Sequence, residues 1–392
     1  MTRRFLSGVA EIYRVALSRP IVHRGELLCV QRLRGVAVFM VLLVHIEDVS
    51  HRLSGWEGFH SFFALNVGYS GPDMFFVISG FIMSYITFGA PFYHRRWLVS
   101  RFIRIYPLYM LFTGLVVLLW LHNPAMTMGS GAQDWGSVIR SMLIVPQAGL
   151  PLLFVGWTVE HEIVFYTLVF VVARFLSLNW LIWVLLGLSL LAFAKWVMVN
   201  SGGVDFWDYH FLSLYMAQFA MGALVYRYWE QTARLGWRLP LAAAAVLFAL
   251  GVAYCESGAI NMEQPLRVLT FGGAYSALLL GLLNREKQQR AIGCEPDKRD
   301  ALVLIGDASY SLYLSHPFVL AAFGKAFVYF DPPAWSALPW LMVAAVTTLV
   351  VGYLVHVFLE RPLIEVGKRM SRWVGRTATL GVGDGCKKSG TA

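Results

Sequence analysis

The chain has 392 residues, 58% of them hydrophobic and only 14% charged, with a net charge of +9. A water-soluble domain carries about 25% charged residues, so a soluble globular enzyme is excluded and most of the length is assigned to a bilayer. Nucleic-acid binding is excluded as well, because the positive charge is distributed as a topology signal.

Ten apolar stretches follow one another at about 33–50, 69–88, 105–121, 154–173, 180–199, 211–226, 239–255, 266–283, 302–327 and 336–358. Each is close to the roughly 20 residues that cross the hydrocarbon as a helix. They are too long and too uniformly apolar for barrel strands. The expected fold class is all-α, a polytopic membrane protein with about ten transmembrane helices. With the N-terminus inside, 27 of the 32 Lys and Arg fall on inner segments, leaving Arg52, Arg140, Lys195, Arg267 and Lys325 outside. The positive-inside bias therefore predicts that both termini are cytoplasmic.

Residues 1–26 are expected to form a cytoplasmic N-terminal segment. Glu11, Arg14 and Arg19 interrupt the apolar core that a cleavable signal would need. Residues 27–362 are the membrane domain, and 363–392 are a cytoplasmic tail, partly disordered. The longest outer loop, about 122–153, is rich in Gly and Pro and is expected to be irregular. The four cysteines, Cys29, Cys255, Cys294 and Cys386, have no metal or redox spacing, so no metal ion is expected. Three of them fall on the reducing side, where no disulfide framework forms.

His45 lies near the far end of the first span. An ionisable side chain at membrane depth suggests a functional site, and imidazole is the group best suited to move a proton near neutral pH. Arg34 precedes it by eleven residues, three helical turns, which places both on one face roughly 16 Å apart. Asp48, three residues further on, either orients the imidazole or ends the span in water. Asp73, in Gly71-Pro-Asp-Met-Phe-Phe-Val-Ile-Ser-Gly80, can orient His45, pair with another site group or rest at the wet interface. Arg101 and Arg104 share a helix face at the inner mouth of span three. Two guanidiniums suit a polyanion, and Arg34 extends them to a three-arginine cradle; lipid headgroups are the alternative ligand.

Glu160, His161 and Glu162 enter span four together, with Glu162 pointing about 100° away from His161. Polar groups at this density are expected to turn toward a wet interior. His316 precedes Pro317 in span nine; it is either catalytic or a structural histidine satisfying a broken helix. His356 and Glu360 read as interfacial.

In order along the chain stand Gln31-Arg-Leu-Arg-Gly-Val-Ala with His45, Pro72-Asp-Met-Phe-Phe-Val-Ile-Ser-Gly-Phe-Ile-Met83 and Arg101-Phe-Ile-Arg-Ile-Tyr-Pro107. Then come Trp157-Thr with Glu162 and Phe-Tyr166, Asp307-Ala-Ser-Tyr-Ser-Leu-Tyr-Leu-Ser-His-Pro317 and Glu360-Arg-Pro362. Over about residues 27–362 this set resembles the bacterial acyltransferase 3 family of integral-membrane O-acyltransferases, most closely its exopolysaccharide-production branch.

The resemblance implies transfer of an acyl group, commonly acetyl from acetyl-CoA, to a sugar hydroxyl at the bacterial inner membrane. It implies an essential role for His45, with Arg34 its partner eleven residues before. It implies that Arg101 and Arg104 hold the donor phosphates, and that Asp73 and Glu162, rather than Glu160, are the functional acids. The expected partners are acyl-CoA, a glycan or lipid-linked saccharide acceptor, the lipid bilayer and polysaccharide-assembly machinery. Gly71-Pro-Asp73 departs from the Gly-Val-Asp of many members. The chain is expected to act without the periplasmic esterase-like domain that many members append. His45 can serve as general base in direct transfer or carry the acyl group itself; both routes use the same residues. The rival reading is a transporter or flippase for a charged or sugar-linked substrate, but no internal repeat or paired broken helices support it.

Overall fold

The computed structural model describes residues 27–54, 67–123, 134–255, 263–293, 300–330, 333 and 336–371, with backbone alone for 47–54 and Ala337. All regular structure among these residues is helical. The helices are α1 (Leu28–Ser54), α2 (Gly71–Phe88), α3 (His94–His122), α4 (Trp135–Leu143), α5 (Trp157–Phe175) and α6 (Leu178–Asn200). They continue with α7 (Met216–Thr232), α8 (Arg238–Tyr254), α9 (Pro265–Ala291), α10 (Ala301–Asp307), α11 (Ser309–Phe330) and α12 (Ala337–Val355). The last helix runs on through a π-type turn at His356–Glu360 to Ser371.

Among the described residues eight helices are long and apolar enough to cross a membrane: α1, α2, α3, α5, α6, α9, α11 and α12. α7 and α8 meet this standard only as a pair, bent by 119° across the connection. Each arm has 17 residues and so spans roughly 25 Å, short of the hydrocarbon thickness. Gly236 makes the turn between them at φ +66°, a conformation that a Cβ would strain. The described residues thus hold eight spans, or nine if the bent pair counts as one, against the ten expected.

Glycine sets how closely the helices approach. A Cβ on Gly80 would overlap the carbonyl of Phe219, and one on Gly222 would overlap that of Val77. α2 and α7 therefore cross backbone to backbone, as small residues permit in membranes. The same device joins α1 to α10, where Gly35 lies on Leu302 and Gly306 on Gln31. The stretch expected as one span, 302–327, is thus two helices broken at Ala308. Helix α3 starts eleven residues before the expected span, at His94. Arg101 and Arg104 therefore lie within a helix, as their expected shared face requires.

The N-terminus of α1 is capped from a distance. The Glu286 carboxylate on α9 accepts from the Cys29 amide at 2.8 Å and the Leu28 amide at 3.3 Å, and Arg290 backs it at 2.6 Å. The first amides of a helix have no internal acceptor, and this carboxylate supplies one. Glu286→Ala is expected to cost about 1–2 kcal/mol, read as a lower unfolding midpoint in detergent micelles. An unchanged midpoint would show that water caps this helix equally well.

The segment before α5 is more ordered than its composition suggests. Asp134 caps α4 by accepting from the Ser137 amide, and Ile144 takes a left-handed conformation at φ 54°. The chain then turns inward, burying Ile144, Leu152, Leu153 and Val155. Its polar groups are satisfied there, with Ser141 Oγ accepting from the Leu152 amide at 3.0 Å and the Gln147 side chain donating to Glu160 at 3.1 Å. The expected irregular loop has no regular helix over 145–153, but it packs into the core at Ile144 and 151–156, while Ala148, Gly149 and Leu150 stay exposed. Its Met128-Gly-Ser-Gly portion lies outside the described residues. Beyond the expected domain end at 362 the helix continues to Ser371, with Gly367 packed on Ile103 of α3.

Candidate active site

Helices α1 and α11 lie side by side and run in the same direction. At one level Arg34 Nη2 donates to Ser309 Oγ at 2.8 Å. Three turns further along α1 the His45 ring stacks on His316, with centroids 5.1 Å apart and planes at 24°. Phe154, from the inward-turned segment, lies edge-on to His45 at 5.2 Å. The two ends of the predicted stripe therefore face the same neighbouring helix.

The arginine end gathers groups from α1, α2, α3, α5, α10 and the continuation of α12. Arg34 is 8% exposed and also donates to Gln31 Oε1 at 3.2 Å. The charges of Arg104, Asp307, Glu162 and Glu360 act on it. Arg101 interacts in turn with Tyr166, Arg104 and Glu162. The three arginines read from spans one and three do come together. Glu162 sits among them, accepting from Ser79 Oγ at 2.9 Å and from Tyr166 Oη at 2.5 Å. Carboxylates let like charges share a buried site, since burying unpaired charge is far more costly. Not every donor is used: Arg101 Nε is buried with no partner among the described residues. An unmade hydrogen bond of this kind costs about 1–3 kcal/mol, and anion oxygens would satisfy it.

His356 and Glu360 are buried within the helical bundle. They are 5% and 3% exposed, His356 Nδ1 lies 2.8 Å from Glu360 Oε2, and Ser311 Oγ donates to the same oxygen at 2.6 Å. The π-type turn holds both inside the bundle; such turns are frequent at functional sites. Hydropathy put these residues at a span end, but the helix continues for three more turns and covers them. Their i, i+4 spacing was the available signal.

Asp73 does not orient His45. It is fully buried, and Arg267 grips it with two parallel bonds, Nη1–Oδ1 at 3.0 Å and Nη2–Oδ2 at 2.7 Å. Gln218 Nε2 adds a third at 2.6 Å. Arg267, expected as an outer-loop charge, is 3% exposed and also donates to the Tyr69 carbonyl. The acid thus ties α2, α7 and α9 together. Asp48 lies in α1, and its side chain is outside the described residues.

Glu160 and Glu162 face different neighbours, as their helical offset requires. Glu160 is fully buried and receives bonds from Gln147 and from His210 Nε2 at 3.1 Å. His161 donates from Nδ1 to the Trp157 carbonyl at 2.9 Å and stacks on His210 at 4.0 Å. Tyr209 and His210 both have positive φ, 55° and 64°, a strained pair for residues with a Cβ. Glu160 therefore fastens the 144–156 segment to the turn before α7. Nothing in the sequence flagged His210, because its partner lies 50 residues away.

An all-helical membrane domain with a partly buried arginine cluster at one end and stacked imidazoles further along the same helix pair is the setting in which the comparisons fall. Residues 28–357 match the acyltransferase domain of the acyltransferase 3 family, and the chain belongs to that family. It is a membrane acyltransferase. Among characterised relatives it is 31% identical over 318 residues to the exopolysaccharide production protein ExoZ of Rhizobium meliloti (strain 1021), a match covering 77% of this chain and 91% of that protein. No solved structure matches it.

Proposed function

We propose that this protein moves an acyl group, most simply acetyl, from acyl-CoA to a hydroxyl of an exported glycan, at the bacterial inner membrane and with both termini cytoplasmic. The observation that carries the reading is the arrangement along α1: Arg34, joined by Arg101 and Arg104 of α3 in a partly buried cluster, at one level and the His45–His316 pair three turns away. That separation, roughly 16 Å, is one the extended pantetheine arm of CoA covers. The donor phosphates rest on Arg34, Arg101 and Arg104, and the thioester lies beside His45. The imidazole takes the acceptor hydroxyl proton as general base. The oxygen attacks the thioester carbon, the C–S bond breaks, and the thiolate takes the proton back from His45, giving ester and free thiol. The similarity to an exopolysaccharide production protein supports a glycan as acceptor.

The test is binding of CoA to the purified protein in nanodiscs, followed by label transfer from acetyl-CoA to de-O-acylated exopolysaccharide. A protein that binds neither CoA nor acetyl-CoA would sink the reading. Charge-assisted bonds to phosphate are each worth roughly 1.5–3 kcal/mol. Arg101→Gln or Arg104→Gln is therefore expected to raise the KM for acetyl-CoA about tenfold or more, with the acceptor KM unchanged. A donor KM that ignores both changes would assign these arginines to lipid headgroups.

A further inference from the structure

A separate cavity lies away from the arginine and imidazole groups. It is an open groove of about 580 Å³ where α2 and α7 end and α6 begins, lined by Tyr85, Phe88, Leu178, Tyr226, Arg227 and Trp229. Helix α2 divides it from the arginine cluster. Ser79 and Thr87, eight residues apart, share the face of α2 that meets Glu162 of α5 and Trp97 of α3. Tyr85 is two residues from Thr87, about 200° round the helix, and so lies on the other side. Its ring stands at 88° to that of Tyr226, with centroids 5.9 Å apart. Arg227 of α7 donates from Nε to Asn179 Oδ1 of α6 at 3.0 Å, and its two Nη groups have no partner among the described residues. Glu230 also lines the groove, but its carboxylate is paired with Lys287. Neither the Tyr85 nor the Tyr226 hydroxyl has a hydrogen-bond partner among the described residues.

A guanidinium and two phenols with unused donors, beside a carboxylate already neutralised, suit a phosphate ester. The position of the groove selects its source. Helix α6 is the least buried of the eight spans, with 17% of its apolar stretch inside the protein. Trp180 and Trp183 near its start are 56% and 67% exposed, three residues apart on one face, as aromatic residues at a membrane boundary are. The groove therefore opens at headgroup level, beside a helix that faces lipid. We infer that it binds the phosphodiester of an anionic phospholipid. Arg227 donates from Nη to the phosphate oxygens, the Tyr85 and Tyr226 hydroxyls donate to the same group, and the glycerol backbone lies against Phe88 and Trp229. The bound headgroup ties together the ends of α2, α6 and α7. It does so on the far side of α2 from Arg101 and Arg104, and the inference does not depend on the acyltransferase reading.

The test uses the full chain, delipidated in dodecyl maltoside micelles, which contain no phosphate. Dioleoylphosphatidylglycerol is titrated in, and the retained lipid is counted by native mass spectrometry. Wild type is expected to hold one lipid tightly. Arg227→Gln is expected to weaken that binding about tenfold or more, through loss of charge-assisted bonds, and Tyr226→Phe about threefold, through loss of a neutral one. Arg101→Gln is expected to leave it unchanged. Tyr226→Phe keeps the ring and its packing, so its result stands even where Arg227→Gln lowers the unfolding midpoint. Wild-type affinity in either groove variant would overturn the proposal, as would wild-type protein that retains no lipid. A loss confined to Arg101→Gln would move the lipid to the arginine cluster and overturn it too. sn-Glycerol 3-phosphate, the headgroup ester without acyl chains, separates the sources. Failure to displace the lipid supports a phospholipid site. Displacement with equal affinity would overturn the lipid as occupant and assign the groove to a soluble phosphate ester.

Discussion

Replacing His45 by alanine is expected to abolish O-acylation while leaving the protein folded in the membrane and able to bind CoA. General acid–base catalysis by one positioned side chain contributes typically 10²- to 10⁴-fold, and no second imidazole in contact with His45 is free to replace it. The neighbouring His316 has its tautomer held by the Leu312 carbonyl and faces the ring of His45 in a stack. The measurement is the O-acyl content of surface glycan, by NMR, in a deletion strain rescued with wild type or His45→Ala at matched expression. Restoration by wild type alone supports the base. Equal restoration would make His45 a packing residue for Phe154 and His316.

Removing Asp73 is expected to produce the largest loss of stability. Asp73→Ala leaves the Arg267 guanidinium buried at 3% exposure without its counter-charge. Breaking one side of a buried pair costs about 3–5 kcal/mol. The double variant Asp73→Ala with Arg267→Ala is expected to be less destabilised than the sum of the two single changes, because it removes the stranded charge; contacting residues couple in this way. Unfolding midpoints in micelles decide the matter. Normal stability in Asp73→Ala with activity lost would restore a catalytic role to the acid. Low yield and a lowered midpoint, with residual protein still binding CoA, would fix it as the clamp between α2, α7 and α9.

These predictions divide along a physical line. The long apolar helices were legible because membrane burial acts on composition over about 20 residues, and composition is local. Arg34 and His45 were legible as one stripe because helical periodicity is local as well. Interruption of a helix by close packing is not local. Gly306 meets the backbone of Gln31, two residues before the break at Ala308 in a stretch that reads as one span. The inward turn of 144–156 is of the same kind: its Gly and Pro residues suit a loop, and its burial depends on Glu160 being placed to receive Gln147.

The sequence by itself determined the helical class, the membrane setting, the family resemblance and the residues in which chemistry could reside. What the tertiary structure decided was which charges meet. Asp73 reads much the same whether it faces His45 or Arg267, and 194 residues separate it from the partner it has. Glu360 reads as a surface acid until Ser311 and His356 close on it. In a low-dielectric interior each buried charge must find a counter-charge or a donor. Which one it finds is set by helix packing across the whole chain, which no local pattern encodes.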